Sequence, residues 1–362
     1  MSEIYLEEMA REFIIKVPAS SANIGPGFDV LGIGLNLYLT INVKIDAEQF
    51  GAESKKDPYN CIISYEGEGA EEVPFQSDKN FLTQTTLYVL KSNGVKSFPL
   101  GTRISVHNDV PLGRGLGSSG TAVVGGVLLA NIIGGFGFSK QRCLDYCLMI
   151  ERHPDNLTAS MMGGFVGSFL RDLSKSEFAT VHQPLENILS PKGSETAPDA
   201  PLNLGTHVKY HISEKIKCIA IIPQFEVSTN KSRAVLPESY SREDIVFNLQ
   251  RLAVLTSAVG AENPDPALIY SAMQDRLHQP YRKVLIPGLS EVITKFTPEN
   301  HPGLLGICLS GAGPTILCLA TKNFNQIASD VIAIFAKKDV TCKWRLLEPA
   351  YEGATIEEIS KL

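Results

Sequence analysis

A stretch of nearly bare backbone stands directly before an apolar segment of the chain. Residues 110–122 read VPLGRGLGSSGTA, and the apolar run VVGGVLLANII follows. Exposed N–H groups in a glycine-rich loop, ahead of a helix N-terminus with its partial positive charge, make a binding place for a polyphosphate. Gly113, Gly115, Gly117 and Gly120 let the backbone approach an anion with no Cβ in the way.

Two serines add oxygen ligands to this glycine loop, defined here as residues 111–120. Ser118 and Ser119 offer hydroxyls to phosphate or to Mg²⁺. The loop is not a Walker A motif, because it lacks the Gly-Lys-Ser/Thr ending. Arg114 either contacts phosphate or faces solvent. A tight turn before a packed helix is the alternative interpretation of the same glycines.

Charged side chains in three other stretches suggest a zwitterionic ligand. Asp29, near Asn23, offers a carboxylate that can receive an ammonium group. Arg233 in STNKSRAVLP and Arg282 in PYRKVLIPG offer guanidinium forks for a carboxylate. By composition alone, each arginine would be an ordinary surface residue.

Composition narrows the class of partner. The net charge of -6 and the lack of a dense Lys/Arg stripe argue against nucleic acid, so small molecules are the expected partners. The uncharged stretch 115–139 is interrupted by glycines, and its apolar core is short for a membrane span, so a buried helix is expected. The acidic N-terminus argues against a secretion signal.

The seven cysteines indicate a reducing compartment. Their number is odd, they form no CxxC pair, and most lie in apolar segments, as expected for core thiols of a cytoplasmic protein. Cys143 and Cys147 are one helical turn apart, but no His or further Cys lies beside them to complete a metal site. Core packing is therefore expected rather than a metal site.

Periodicity predicts the elements around the glycine loop. Apolar residues alternate with polar ones over 37–45, which is typical of a half-buried strand, and a second strand is predicted over 102–110. Helices are predicted over 119–133 and 140–152. Extended structure is expected to resume within MMGGFVGSFL (161–170).

A ferredoxin-like unit is predicted for the second half. The proline-rich passage 182–215 is expected to be a loop between domains, because two domains suit a chain of 362 residues, with a single elaborated domain as the alternative. Beyond it, the predicted order is strand, helix pair, strand, strand, helix, strand, as in a split βαβ unit. The helix pair begins at a capping box of Ser241 and Asp244 and ends with a short helix over about 266–276.

Three motifs, taken together, resemble those of the GHMP kinase superfamily. They are PASSANIGPGFDVLG (18–32), PLGRGLGSS (111–119) and SGAGPT (310–315), in that order. Within the superfamily, the first motif and ERHPDN (151–156) look most like the homoserine kinases. In isolation, the third motif would be a plain β-turn between two strands.

The resemblance implies an α+β fold of two domains. Residues 1–180 would form an ATP-binding domain like domain 2 of ribosomal protein S5, with a left-handed βαβ crossover, and residues 181–362 a ferredoxin-like domain. The strand order predicted above for the second half agrees with this independently.

The implied activity is the ATP-dependent phosphorylation of L-homoserine to O-phospho-L-homoserine, a step toward threonine. It implies ATP and Mg²⁺, a cytoplasmic location and a homodimer. One alternative is the same fold with another small alcohol, such as mevalonate or a sugar. The other is a metabolite sensor that binds ATP without turnover. The arginines with Asp29 argue against the first, because mevalonate lacks the ammonium and sugars lack both charges.

The resemblance also assigns roles to residues. Metal contacts would come from Glu151 and from Ser118 or Ser119, and the catalytic group would comprise Ser119, Glu151 and Asn156. The acceptor would be bound by Asn23, Asp29, His153, Asn156, Arg233 and Arg282. The nucleotide would be bound by Asn80, Pro111, Gly113, Arg114, Gly115, Leu116, Gly117, Ser118, Ser119, Gly120, Gly311 and Gly313.

One position departs from the pattern of several GHMP kinases. Where they have an aspartate that can act as a base, this chain has Asn156, whose amide nitrogen cannot take a proton from a hydroxyl. Asp155 is adjacent. Because phosphoryl transfer depends mostly on alignment and charge neutralisation, direct attack without a dedicated base is expected.

Overall fold

The computed structural model describes residues 10–189 and 196–361. The nine N-terminal residues, which carry part of the argument against a secretion signal, lie outside this range. The strands are β1 (Arg11–Ala22), β2 (Leu31–Ile45), β3 (Cys61–Gly67), β4 (Thr102–Asn108), β5 (Phe165–Leu170), β6 (Gly205–Tyr210), β7 (Lys217–Pro223), β8 (Leu304–Leu309), β9 (Ile316–Ala320), β10 (Cys342–Leu347) and β11 (Thr355–Lys361). The helices are α1 (Ala47–Ser54), α2 (Phe81–Ser92), α3 (Ser118–Ile133), α4 (Lys140–Ile150), α5 (Pro154–Met162), α6 (Lys175–Val181), α7 (Leu185–Leu189), α8 (Thr229–Ala234), α9 (Arg242–Ala258), α10 (Pro266–Ala272), α11 (Gln279–Arg282), α12 (Leu289–Lys295) and α13 (Phe324–Ala336).

Seven strands form the first sheet, in the order β11-β1-β2-β4-β3, with β5 paired to β2 and β6 to β5. Strand β2 has the predicted alternation, since Leu39, Ile41 and Val43 are buried and Lys44 is exposed, where it pairs with Glu12 at 3.1 Å. Strands β3 and β4 are parallel and are joined through α2. The left-handed crossover stays a prediction.

Helix α3 is buried on nearly all sides. Eleven of its 16 residues are buried, which suits its almost wholly apolar sequence. Gly126 lies at the contact with α2, where a Cβ would come 2.5 Å from the carbonyl oxygen of Leu82. The helix is therefore held firmly behind the glycine loop.

The second sheet has the predicted ferredoxin-like arrangement. Its strands lie in the order β10-β7-β9-β8, and every pair is antiparallel. Helix α13 covers it with the buried side chains of Ile327, Val331 and Phe335. The α+β fold with a ferredoxin-like second sheet is confirmed.

The passage 182–215 is not a plain loop, and that prediction is wrong. It contains α7 and β6, and β6 pairs with β5 from Tyr210 opposite Phe165 to Gly205 opposite Leu170. The first sheet thus continues past residue 181, and β11 returns to it at the other end of the chain. The division between residues 180 and 181 stays a prediction.

Three predicted elements end early. The strand predicted over 102–110 ends at Asn108, whose side-chain oxygen accepts the N–H of Val110 and turns the chain. The helix predicted over 140–152 ends at Ile150, and Glu151 is extended. The helix predicted over 266–276 ends at Ala272. Within residues 10–189 and 196–361, no helix is both long and apolar enough to cross a membrane.

Candidate active site

A cavity of about 580 Å³ lies where the glycine loop, the α4–α5 junction and the third motif meet. Twelve of the predicted site residues line it: Gly113, Gly115, Gly117, Ser118, Ser119, Gly120, Glu151, His153, Asn156, Arg233, Gly311 and Gly313. The remaining predicted residues, Asn23, Asp29, Asn80, Pro111, Arg114, Leu116 and Arg282, are not among its lining residues. The structure therefore brings most of the sequence-predicted site into one place.

The glycine loop needs glycine where other backbone approaches it. Gly115 and Gly117 have φ values of +80° and +70°, in the left-handed region. A Cβ at Gly115 would lie 2.5 Å from the carbonyl oxygen of Ser310, and one at Gly117 would overlap the hydroxyl of Ser20. Gly117 is also the N-cap of α3 and supplies no side-chain cap, so the first N–H groups of the helix remain available to an anion.

The three motifs contact one another around this loop. The N–H of Ser20 donates to the carbonyl oxygen of Leu116 at 3.1 Å. The hydroxyl of Ser310 donates to the carbonyl oxygen of Gly115 at 2.6 Å and lies 2.7 Å from that of Ser21. Residues almost 300 positions apart thus hold the glycine loop in one conformation.

Pro111, Arg114 and Leu116 contribute to the loop mainly as structure. Pro111 is buried and Leu116 is fully buried, so a nucleotide would reach only their backbone. The carbonyl oxygen of Arg114 accepts the N–H of Thr315 at 3.3 Å. The buried Nε of the Arg114 side chain has no hydrogen-bond partner among the described residues.

Glu151 lies opposite the first turn of α3. A Cβ on Gly120 would be 3.7 Å from Oε2 of Glu151, and Ser118 and Ser119 line the same cavity. No group of three or more His, Cys, Asp and Glu side chains suited to a metal occurs in the described part of the chain. One carboxylate and two hydroxyls provide a few ligands, all of them oxygens. Such a set fits Mg²⁺, which usually takes its other ligands from phosphate and water.

His153, at the N-cap of α5, is held by Asp155. Its Nδ1 lies 3.2 Å from Oδ1 of Asp155, which also accepts the N–H of Asn156 at 2.8 Å. Burial would lower the pKa of His153, but the hydrogen bond and charge of Asp155, with the charge of Glu151, outweigh it and raise the pKa to about 9. His153 is therefore a cation at neutral pH.

Asp155 and Asn156 each have a side-chain oxygen engaged in hydrogen bonds. The Asp155 side chain is buried, and Oδ1 is engaged by His153 and by the Asn156 backbone. Oδ1 of Asn156 accepts the hydroxyl of Ser20 at 2.9 Å. Asn156 thus helps to fix the glycine loop at Gly117, where an added Cβ would lie 3.2 Å from the same oxygen.

Asp29 and Arg233, expected at opposite ends of a zwitterion, bind each other. Two N–H···O contacts of 2.7 and 3.0 Å join the guanidinium and the carboxylate. Asn23 supports Asp29, because its Oδ1 accepts the Asp29 N–H at 3.0 Å. Both side chains of the ion pair remain about one-third exposed, so an incoming ligand can reach them.

Arg282 lies behind the cavity wall rather than on it. The side chain is 2% exposed, and Nη1 donates to the carbonyl oxygen of Gly311 at 2.9 Å. Burial, followed by the charge of Arg233, lowers the pKa of Arg282 to about 10. The guanidinium of Arg282, which the sequence predicted to bind a ligand carboxylate, thus donates mainly to backbone oxygens.

A second cavity of about 210 Å³ adjoins the first, because Ser118 and Ser119 line both. Its other lining residues are mainly apolar: Leu39, Tyr65, Val73, Asn80, Phe81, Leu82, Asn108, Leu112, Thr121 and Ala122. Asn80 is the N-cap of α2, where its Oδ1 accepts from Leu82 and Thr83. Its side chain is therefore occupied by the helix.

Sequence reasoning missed the residues at the start of α8 and just before it. Glu226, Ser228, Thr229 and Asn230 line the large cavity, and the carboxyl carbon of Glu226 is 2.9 Å from a Cβ position on Gly113. The polar run STN before a helix could have signalled Ser228, which is the N-cap of α8. Nothing in the local sequence marks Glu226.

Comparison with known proteins finds relatives along nearly the whole chain. The family descriptions "GHMP kinases N terminal domain" and "GHMP kinases C terminal" match residues 80–164 and 257–337. The homoserine kinase of Saccharomyces cerevisiae is 59% identical over 97% of this chain and 100% of its own, and that of Candida albicans is 55% identical over 95% and 98%.

Solved structures share the fold. The crystal structure of homoserine kinase from Cytophaga hutchinsonii matches 99% of this chain and all of its own, with a TM-score of 0.71 and 23% identity. A crystal structure of mevalonate kinase matches 92% of this chain and 99% of its own, with a TM-score of 0.57 and 12% identity. These two likenesses concern the fold alone.

Proposed function

Because the chain belongs to the homoserine kinases of the GHMP kinase family, we propose that the cavity aligns ATP and L-homoserine for direct phosphoryl transfer. The enzyme is an ATP-dependent kinase, and its products are O-phospho-L-homoserine and ADP, in threonine biosynthesis. The observation that carries the proposed alignment is the cavity itself. One wall of the cavity is the glycine loop at the N-terminus of α3. The other wall contains the cationic side chains of Arg233 and His153.

The nucleotide lies across the two adjoining cavities in this proposal. Its phosphates run along the glycine loop toward Ser118 and Ser119, where the N–H groups of α3 point outward. Its base enters the smaller cavity, between Tyr65, Phe81 and Leu112. The volume of about 210 Å³ and the apolar lining support a planar aromatic occupant.

Glu151, Ser118 and Ser119 would hold Mg²⁺. These three residues line the same cavity, and the ion would take its remaining ligands from phosphate and water. When bound, Mg²⁺ neutralises charge on the phosphate oxygens. The residues of the chain orient the γ-phosphate toward the α5 side of the cavity, where the acceptor lies.

The acceptor exchanges into the ion pair of Asp29 and Arg233. Its ammonium approaches Asp29 and its carboxylate approaches Arg233, so each charge trades one partner for another. The partial exposure of the pair supports this exchange. His153, protonated at neutral pH, adds a positive charge on the same side of the cavity.

The transfer itself needs no dedicated base. The hydroxyl oxygen of homoserine forms a bond to the γ-phosphorus, the bond from that phosphorus to the β–γ bridging oxygen breaks, and ADP leaves. The hydroxyl proton passes to a γ-phosphate oxygen or to water. The engagement of Asp155 Oδ1 by His153 and the Asn156 backbone supports this route.

Two measurements test the proposal. Mass analysis of homoserine after incubation with Mg-ATP, with mevalonate and galactose as parallel acceptors, should yield phosphate ester from homoserine. For the base-free route, Asp155→Asn should lower kcat by less than about tenfold, since loss of a general base costs roughly 10²–10⁴-fold. A loss of kcat beyond a hundredfold, at unchanged KM values and unchanged melting temperature, would show Asp155 to be the base.

We also propose a homodimer in a reducing, cytoplasmic environment. All seven cysteines are free thiols, which supports the compartment. Helix α9 leaves Ile245, Val246 and Leu249 exposed, which supports self-association. Light scattering at several protein concentrations distinguishes a dimer from a monomer.

A further inference from the structure

A fully buried histidine joins helix α11 to the first motif. His278 is the N-cap residue of α11 and is 0% exposed. Its Nε2 lies 2.8 Å from the carbonyl oxygen of Gly25, and its Nδ1 lies 3.2 Å from Nη1 of Arg282. Its ring stacks on that of Phe28, with 5.5 Å between the centroids. No part of the phosphoryl transfer described above uses this residue.

The partners of His278 determine its tautomer. A guanidinium nitrogen can only donate, so Nδ1 must accept from Arg282. A carbonyl oxygen can only accept, so the proton lies on Nε2 and is donated to Gly25. The carboxylate of Asp275, 3.4 Å from Nε2, favours the same arrangement. Burial and the charge of Arg282 lower the pKa of His278, which agrees with a neutral ring.

Asp275 holds the backbone that carries His278. Its carboxylate accepts the N–H groups of Leu277, His278 and Gln279 at 2.7–3.1 Å. The side-chain amide of Asn248 donates to it as well, at 2.8 Å. His278 is therefore mounted on a fully hydrogen-bonded turn, and its ring has little freedom to move.

Arg282 carries this constraint to the cavity. Its Nη1 donates to the carbonyl oxygen of Gly311, which lines the cavity, and its Nε donates to that of Ser232 at 3.3 Å. The Gly311 oxygen also accepts the side-chain amide of Asn23 at 3.0 Å. Arg282 thus fastens the third motif and α8 to the same point.

The first motif needs such support because its backbone is strained. Ile24, a β-branched and fully buried residue, has a φ of +40°, which is an outlier for such a side chain. It is held on both sides, at Asn23 by Gly311 and at Gly25 by His278. Asn23 in turn fixes Asp29 through the hydrogen bond already described. Strained backbone persists only where the surroundings over-determine it.

We propose that His278 is a positioning residue for the acceptor: it sets Arg282 and the turn 23–25 and so shapes the homoserine end of the cavity. The inference rests on the proposed function. The residue touches neither substrate and acts only through Arg282 and the turn 23–25. Its removal should therefore weaken homoserine binding and leave ATP binding nearly unchanged. The glycine loop is held mainly by hydrogen bonds that involve neither His278 nor Arg282, from the N–H of Ser20 and the hydroxyl of Ser310.

Two substitutions distinguish the contribution of Nδ1 of His278 from that of Nε2. In His278→Asn, the amide oxygen can take the place of Nδ1 and accept from Arg282. In His278→Gln, the amide nitrogen can take the place of Nε2 and donate to Gly25, while Arg282 loses its acceptor. We expect His278→Gln to raise KM for homoserine about tenfold or more, as for loss of a buried hydrogen bond to a charged group. His278→Asn, which loses only the hydrogen bond to the neutral Gly25 carbonyl, should raise it clearly less. KM for ATP should stay within twofold in both variants.

The experiment uses the full chain and includes His211→Gln, an exposed histidine, as the matched control. Besides KM and kcat, the rise in melting temperature on adding homoserine without ATP reports acceptor binding independently of turnover. Equal effects of the two variants on homoserine, or parallel rises in both KM values, would overturn the inference. If the unsubstituted protein forms no phosphohomoserine, the proposed function fails instead, and the homoserine-induced rise in melting temperature still decides the role of His278.

Discussion

At the scale of the residue, the site depends on what each side chain contacts more than on its type. Asp29 and Arg233 are the right groups for a zwitterion, yet 204 positions of chain separate them and they neutralise each other at 2.7 Å. Asp155, beside the departure at Asn156, is engaged with His153. These pairings determine which groups are available to a ligand.

The close approach at Gly117 leads to a first prediction. Gly117→Ala should lower kcat/KM about a hundredfold, because the new Cβ would overlap the Ser20 hydroxyl and displace the loop from the proposed phosphate position. Steady-state kinetics checks this. Gly94→Ala is the matched control, since Gly94 also has a left-handed φ, of +80°, but open space around it. An equal loss of activity in both variants would contradict the explanation.

The raised pKa of His153 leads to a prediction about stability and pH. A histidine with its folded-state pKa raised from 6.5 to about 9 contributes stability that is complete below pH 6.5 and is lost as the pH rises through about 9. The unfolding free energy of His153→Gln should therefore lie below that of the unsubstituted protein. The difference between the two proteins should be larger at pH 6 than at pH 9.5. The change should be on the order of 3 kcal/mol.

Denaturant titrations at the two pH values measure that difference. Other titrating groups are common to both proteins and cancel to a first approximation. A gap that is constant across this range, or that widens with rising pH, would refute the charged state assigned to His153.

At the scale of the element, the local sequence pattern predicts a helix or strand most accurately where the whole element is buried. Helix α3 begins one residue before its predicted start and ends at the predicted Ile133, because its apolar residues and the preceding glycines are both local signals. Helix α9 begins at the predicted cap, Ser241, yet Ile245 and Leu249 of its apolar pattern are exposed. Spacing predicts that a helix forms, but packing decides which face is covered.

The contact of α3 with α2 leads to an element-scale prediction. Gly126→Ala should lower the unfolding free energy by about 1–3 kcal/mol, because its Cβ would press on the Leu82 carbonyl oxygen, which cannot move without shifting α2. Gly125→Ala in the same helix is the matched control. There the nearest atom, 2.6 Å away, is the terminal methyl of Ile41, which can rotate. Thermal unfolding compares the two, and equal stabilities would contradict this account of the contact.

At the scale of the whole molecule, the two sheets are interlaced along the chain. Strand β6 extends the first sheet after residue 181, and β11, which follows the whole second sheet, completes the first beside β1. Residue Ile356 lies opposite Ile15, and Glu358 opposite Phe13. The first sheet therefore depends on the last strand of the chain.

Removal of β11 tests this dependence. A chain ending at Ala354 should melt several degrees lower, and amide exchange in β1 should accelerate at those of Ile14, Ile15 and Lys16 whose N–H groups face β11 rather than β2. Amides of the second sheet, in β8 and β9, serve as the internal control and should exchange at unchanged rates. Unaltered protection in β1 would show that β11 contributes little to the first sheet.

The sequence alone did not predict strand β1 or helix α2. It did predict a glycine loop ahead of a buried helix, the helices α3, α4 and α9, and the ferredoxin-like order of the second half. These depend on periodicity, glycine and capping residues, which act over a few positions of chain. Only the tertiary structure decided that β6 belongs to the first sheet, that Asp29 binds Arg233 and that His278 supports Arg282. Such partners meet because packed elements bring them together, and hydrogen bonds are specific only at distances that the folded chain defines.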